Sequence, residues 1–301
     1  MSKEARKSID NGIWMCKHHA RLIDNDYKEY SADTLRGWKI SAEEAAYKSL
    51  CLPGDQYLRE TSTLIQLGND IVFHGKWLSA DESKGEWTVV VKDYIYGDEY
   101  LLKEFCSKYK ERNDNYIVIQ DQGDGRIIKC APLWKHNEES VICLTVNVEQ
   151  KLLRTNPAAA GVDIALSSSW DLILDKSGDI ATVSGMDSAK QRISTSLSTR
   201  FGEVLFDSQA GSFFYKYFCD YKERDVLLSS LLKLEVARLA SLPAEGREQS
   251  PLGFVNRVID VIFDDLNITD NDNKISLMLT IEWGDGEITS DKYRVFVGNR
   301  K

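Results

Sequence analysis

The chain is short of the residues from which much small-molecule chemistry is built. Its 301 residues include four histidines, two of them adjacent at His18 and His19. The six cysteines (Cys16, Cys51, Cys106, Cys130, Cys143 and Cys219) contain no C-x-x-C pair. That scatter fits reduced thiols in a cytosolic protein rather than a disulfide framework. Positive charge is also in deficit: 38 Lys and Arg against 47 Asp and Glu give a net charge of −9. A generally basic, directly nucleic-acid-binding surface is therefore not expected. No apolar run approaches the roughly 18 residues of a membrane span, and the opening MSKEARKSID has no apolar leader stretch. G-x-S-x-G, H-E-x-x-H and protein-kinase signatures are missing as well. The expectation is a cytoplasmic protein with no membrane partner and reduced thiols.

What is present is material for a large core. Apolar residues make up 43% of the chain, and the length suffices for two or three compact units. Charge is uneven: residues 1–50 carry nine Lys and Arg against eight Asp and Glu, whereas residues 264–291 carry eight acids and one base, Lys274. The acidic end would repel a phosphate backbone.

Turn signals and hydrophobic period divide the chain into three segments. Residues 1–53 end in a helical stretch, SADTLRGWKISAEEAAYKSL, with Leu35, Trp38, Ala42, Ala45 and Ala46 near helical spacing, and LPGD marks a boundary. Residues 56–156 read as a small α+β unit with a mainly antiparallel sheet. Here STLIQLGNDIVFHGKWLS gives two strands joined at Gly68-Asn69-Asp70, EWTVVVKDYI gives another, and GDEYLLKEFCSKYKE suits an amphipathic helix. NYIVIQ, RIIKCAPLW and SVICLTVNV follow as strands, and RTNPAAAG as a linker. Residues 161–301 begin with a hairpin around Lys176-Ser177-Gly178. Two helices come next, MDSAKQRISTSLSTRF with Asp187 in its first turn and ERDVLLSSLLKLEVARLASL, then three strands, FVNRVIDVIFDDLNI, KISLMLTIEW and DKYRVFVG. The predicted class is α+β.

Candidate chemistry is sparse. DQGDGR has glycines without phosphate-loop spacing and reads as a hairpin turn. DNDNK has two acids at calcium-loop spacing, but Ile275 and Ile281 stand where the loop needs its glycine and closing glutamate. His74 and His136 are the remaining histidines, and His74 is expected at a sheet surface. Trp77, Trp87, Trp134, Trp170 and Trp283 lack the interleaved bases of a stacking platform and are expected in the core or at an interface.

Two resemblances add to this reading. The stretch NGIWMCKHHARLID (Asn11 to Asp24), followed by Leu35, Trp38 and Lys39, resembles the closing half of the HNH nuclease fold over about the first 50 residues. In that family an upstream hairpin supplies the catalytic histidine, and the closing helix supplies metal ligands that place a cation on the scissile phosphate. On a chain beginning at Met1 that hairpin is not expected. The family's C-x-x-C pair is Cys16 and His19 here, and Ala20 stands where a histidine is usual. The resemblance implies a catalytically silent remnant acting as a docking module. A zinc ion on Cys16 and His19 is the alternative, and it needs further ligands, for which Cys51 and His74 are the candidates.

The second resemblance covers about 140 residues. DLILDKSGDIATVSGMDSAKQRISTSLSTRFGEVLFDSQAGSFF is similar to the baseplate wedge family of contractile tails, the sheath-initiating proteins of tailed phages and their type VI secretion relatives. The shared pattern is Gly178-Asp179-Ile180, Val183-Ser184-Gly185, Gln191-Arg192, Gly202-Glu203, Asp207 and Gly211. The family's Glu-Pro-Arg signature corresponds to Val255-Asn256-Arg257, which keeps the arginine. The resemblance implies a non-catalytic protein–protein assembly subunit whose partners are other subunits of a multi-component particle. Asn256, Arg257, Glu203 and Asp207 are its interaction residues, with no cofactor required, and its place is the cytoplasm or a phage-tail-like particle. Arg257 is expected to pair a carboxylate, on a partner or on its own chain. A bacterial anti-phage component that docks an effector through the HNH remnant is the second reading. A nuclease completed in trans by a partner's hairpin is the third.

Overall fold

The computed structural model describes residues 62–298, apart from 138–140, 168, 206, 244–248 and 267–272, together with Ile13, Ile23, Leu35 and Lys39. The chain divides into two compact units, Met1–Thr61 and Ser62–Lys301. The second unit is an α+β fold, as its strand and helix patterning predicts.

Seven strands of this unit form one sheet: β1 Thr63–Leu67, β2 Ile71–Asp81, β3 Glu86–Tyr96, β4 Tyr116–Ile119, β5 Asp124–Ile127, β6 Leu133–His136 and β7 Ile142–Asn147. Their order is β5-β4-β1-β2-β3-β7-β6, and every neighbouring pair is antiparallel. Helix α1, Glu99–Ser107, starts where the Asp98 carboxylate accepts the Leu101 amide at 2.8 Å. It buries Leu102 and Phe105 against one face of the sheet, among Ile65, Phe73, Trp87 and Ile117. The β1–β2 turn at residues 68–70 and the glycine turn between β4 and β5 fall where the sequence places them.

The other face is buried too. In β1 and β4 successive side chains go to opposite cores: Ile65 and Ile117 join the α1 side, while Leu64, Tyr116 and Val118 join a second cluster. That is the period of two expected of a strand covered on both faces. The cover is α4, Asp225–Ser241, which packs on β5, β4 and β1 and also on β10. From Leu231 to Ser241 it is buried except at Lys233, because the first sheet, the loop before α3 and β10 cover it on different sides. Beyond it lies a second, antiparallel sheet of β10 Val255–Asp265, β11 Lys274–Trp283 and β12 Ile288–Phe296. In β11 the burial alternates strictly, with Ile275, Leu277, Leu279, Ile281 and Trp283 turned inward. The segments read as 56–156 and 161–301 thus share one core.

Between the sheets in sequence come a short ribbon, β8 Val162–Ile164 paired with β9 Thr182–Ser184, then α2 Gly185–Ser198 and α3 Phe214–Tyr221. The fourfold spacing of Ala189, Ile193, Leu197 and Phe201 predicts one buried face; the first three are buried on α2, whereas Phe201 lies past the helix end at Ser198, half-buried and stacked on Phe213. Helix α3 is not anticipated by the sequence pattern: FYKYFCDY is dominated by aromatic residues, a composition that favours strands. Packing overrides that preference, because Phe214, Tyr217 and Phe218 at i, i+3 and i+4 all reach the core.

Candidate functional site

Asn256 and Arg257 open β10, and the fold brings both to one acceptor. The Asn256 amide donates to Glu282 Oε1 at 2.8 Å, and Arg257 Nε donates to Glu282 Oε2 at 2.7 Å. Glu282 is on the outer face of β11, cross-strand from Arg257. The carboxylate anticipated for the arginine is therefore on its own chain. The neighbouring β4–β5 turn closes over this pair: Gly123, at φ +58°, leaves no room for a Cβ beside Arg257. DQGDGR is a hairpin turn docked on Arg257.

Glu203 and Asp207 lie elsewhere, in the loop between α2 and α3, and both organise local turns. Glu203 Oε2 accepts the Arg200 amide at 2.9 Å, and Asp207 Oδ1 accepts the Gln209 amide at 3.2 Å. No hydrogen bond or ion pair among the described residues joins this pair to Asn256 and Arg257. The loop is fixed from beneath by an ion pair on α4 that the sequence pattern does not reveal. Glu235, fully buried, accepts the Phe213 amide at 3.1 Å, and Arg238 donates to the Gly211 carbonyl at 2.5 Å. The two are joined at 2.7 Å, with the Phe213 ring 4.8 Å from the guanidinium carbon. Burial opposes the charge on Arg238, and Glu235 with Tyr116 more than offsets it, holding the pKa above its ordinary value.

The ribbon and the loop it carries concentrate exposed apolar surface. Val162, Ile164, Leu172, Ile173, Leu174 and Ile180 are between 38% and 67% exposed. Two tight turns shape it. Ser167 and Asp171 close one, where the Asp171 carboxylate accepts the Ser169 hydroxyl at 2.8 Å. Asp175 and Asp179 close the other, where the Ser177 hydroxyl and nearby amides hold the Asp175 carboxyl below the usual carboxylate range. Gly178, at φ +88°, makes the second turn possible.

The Gln191-Arg192 pair of α2 ties this ribbon down. Gln191 Oε1 accepts the Leu166 amide at 2.9 Å, and its Nε2 donates to the Ile164 carbonyl at 2.8 Å. Arg192 Nε lies 3.5 Å from Asp163 Oδ2. One side chain thus satisfies backbone groups two residues apart, as a paired strand would. Gln191→Ala is expected to cost about 1–2 kcal/mol and to speed hydrogen exchange at the Leu166 amide more than at core amides of β11. Equal acceleration in β11 would mean that Gln191 serves the whole unit rather than the ribbon.

The remaining candidates separate cleanly. Cys16, His19 and the rest of the HNH-like stretch lie outside the described residues, apart from Ile13, Ile23, Leu35 and Lys39, as does most of DNDNK. Trp87 and Trp283 are core, Trp77 packs on Trp87 at 4.9 Å, and Trp134 stands over Lys103 at 4.8 Å. His74 lies half-buried on β2, its Nδ1 without a hydrogen-bond partner among the described residues. His136 Nε2 stands 3.6 Å from the Glu99 carboxylate. Among the described residues no three His, Cys, Asp or Glu side chains group as metal ligands. None of the described helices is long and apolar enough to cross a membrane.

No family model, curated protein or solved structure matches this chain.

Proposed function

We propose that the chain is an assembly subunit that docks on neighbouring subunits of a multi-component particle, rather than a catalyst. One observation carries this reading: the ribbon holds six apolar side chains in solvent while Gln191 and Arg192 clamp its backbone to α2. Exposed apolar surface concentrated on one element marks an interaction site. A clamped element loses little conformational freedom on docking, which favours affinity. The resemblance of residues 161–301 to the baseplate wedge family supplies the class of particle, a contractile-tail assembly. Its site of action is then the cytoplasm or the particle itself. Asn256, Arg257, Glu203 and Asp207 are each bonded within the chain, and in this reading they shape their own strand and turns rather than the ribbon.

The test is co-purification of the tagged chain expressed together with its native gene neighbours. The expected result is a stoichiometric complex with a tail-type subunit encoded nearby. Leu172→Asp and Leu174→Asp should each dissolve that complex while shifting the chain's own stability by no more than about 0.5 kcal/mol. A complex untouched by both substitutions, or a chain that stays alone, overturns the reading. A nuclease or ATPase as the bound neighbour would replace the tail setting with a defence one.

A further inference from the structure

A cavity of about 560 Å³ opens between the 151–160 segment, α2 and the turn that precedes β10. Its walls are apolar at Leu152, Ala160, Pro251 and Phe254 and carry two bases, Lys151 and Arg192. No carboxylate is among the described residues that line it. Its size is that of an ordinary small-ligand site, and Thr155, Gln249 and Ser250 add polar edges to the apolar walls.

The charge behind the Lys151 wall is out of balance. Asp124, 6% exposed, is the one buried carboxylate there among the described residues, and Arg126 already holds it at 2.8 Å. The Lys151 ammonium reaches the same carboxylate only at 3.8 Å. Arg154 adds a third cation, and all its bonds go to neutral oxygens: the Ala240 carbonyl, the Gly123 carbonyl at 2.9 Å and the Ser241 hydroxyl at 2.8 Å. Ala240 is in the last turn of α4, where a cation complements the helix dipole, so Arg154 has a structural reason to stay. Lys151 has none of comparable strength. Burial lowers its pKa first, and Arg154 and Arg126 lower it further against the pull of Asp124 and Glu82. Three bases thus share one buried acid and the exposed Glu82, 3.8 Å from Arg126, at the wall of an open cavity.

We propose that this cavity binds a small organic anion, an apolar body bearing one carboxylate or phosphate group, with the Lys151 ammonium as its counter-ion. The bound anion completes the charge balance that Asp124 leaves short, and the apolar walls take the body. Arg192, already 3.5 Å from Asp163, borders the site and contributes positive potential. The site shares Arg192 with the clamp of the docking ribbon, but Lys151 and the apolar walls take no part in that clamp, so the Lys151 test stands or falls separately from the assembly reading.

Calorimetric titration of the full chain with octanoate, and separately with inorganic phosphate, tests it. Octanoate should bind saturably at one site, and phosphate more weakly because it leaves the apolar walls unfilled. Lys151→Gln should weaken octanoate about tenfold or more, the usual loss for one charge-assisted contact. Lys84→Gln, which removes an exposed lysine paired with Asp81, should leave binding unchanged. A second measurement uses mass mapping after brief treatment with a succinimidyl ester at neutral pH. Lys151 should be acylated ahead of Lys84, and octanoate should protect it. The proposal is overturned if neither probe binds saturably, if Lys151→Gln binds octanoate as the parent does, or if phosphate binds as tightly as octanoate.

Discussion

Glu235→Ala is expected to destabilise the chain by about 3–5 kcal/mol, the cost of stripping one partner from a buried ion pair. Glu235 is fully buried and Arg238 is 7% exposed, so the guanidinium left behind has little water to turn to. Its other bonding partner is the Gly211 carbonyl, and its other neighbours are the rings of Phe213 and Phe201. The Phe213 amide loses its acceptor at the same time. Replacing both charges, with Glu235→Leu and Arg238→Met together, should cost markedly less than the single change, because no uncompensated charge is then buried. Urea denaturation of the parent, the single and the double variant measures this directly. A double variant as damaged as Glu235→Ala would place the stabilisation in the hydrogen bonds to the 211–213 backbone rather than in charge pairing.

That pair also marks where the information in local sequence stops. Glu235 and Arg238 stand at i and i+3 of a helix, the spacing of an ordinary solvated pair. Only the 200–213 loop and the first sheet, closing on this side of α4 at Gly211, Phe213, Phe201 and Tyr116, make it a buried one. The elements themselves are legible wherever one period dominates. KISLMLTIEW alternates and becomes β11 with alternate residues inward; Ala189, Ile193 and Leu197 repeat every four residues and become the buried face of α2. TLIQL and YIVI carry a further signal, near-continuous apolar runs too short for helices, which is how strands covered on both faces read. Taken at that value they foretell the shared core of residues 62–298. FYKYFCDY has the aromatic composition of a strand, and only the i, i+3, i+4 spacing of Phe214, Tyr217 and Phe218 marks it as a helix. In the candidate site, the arginine's carboxylate is foreseeable as a type of partner, but Glu282 lies 25 residues away across a hairpin, beyond local pattern. The ribbon's leucines and isoleucines look like core, since sequence alone does not say which apolar residues have nothing to pack on.

Gly211 supplies the second large effect, and it separates backbone strain from steric clash. Gly211 is one of the glycines in the wedge-like pattern; it sits at φ +105°, and a Cβ there would run into the Arg200 carbonyl. That carbonyl belongs to a segment held by a tight set of bonds: Phe201 donates to Ser212 at 3.0 Å, Gly202 to Ala210 at 2.9 Å and Ser212 to Thr199 at 2.8 Å. Gly211→Ala is therefore expected to cost about 2–6 kcal/mol, from about 1–3 of left-handed backbone strain and a similar amount of overpacking. Gly178 provides the comparison, since it has φ +88° and a Cβ there would meet nothing within 4 Å. Gly178→Ala should carry the backbone part alone, about 1–2 kcal/mol. The difference between the two denaturation midpoints, converted to free energy, isolates the clash; a difference under about 0.5 kcal/mol would show that the 200–212 bonds yield without cost. Because Arg238 bonds the Gly211 carbonyl and Glu235 holds the Phe213 amide, Gly211→Ala and Glu235→Ala loosen the same loop. Their combined loss should fall short of the sum of the two, as it does for substitutions sharing one network. Strict additivity would mean that the loop's turn and its buried anchor fold as separate parts.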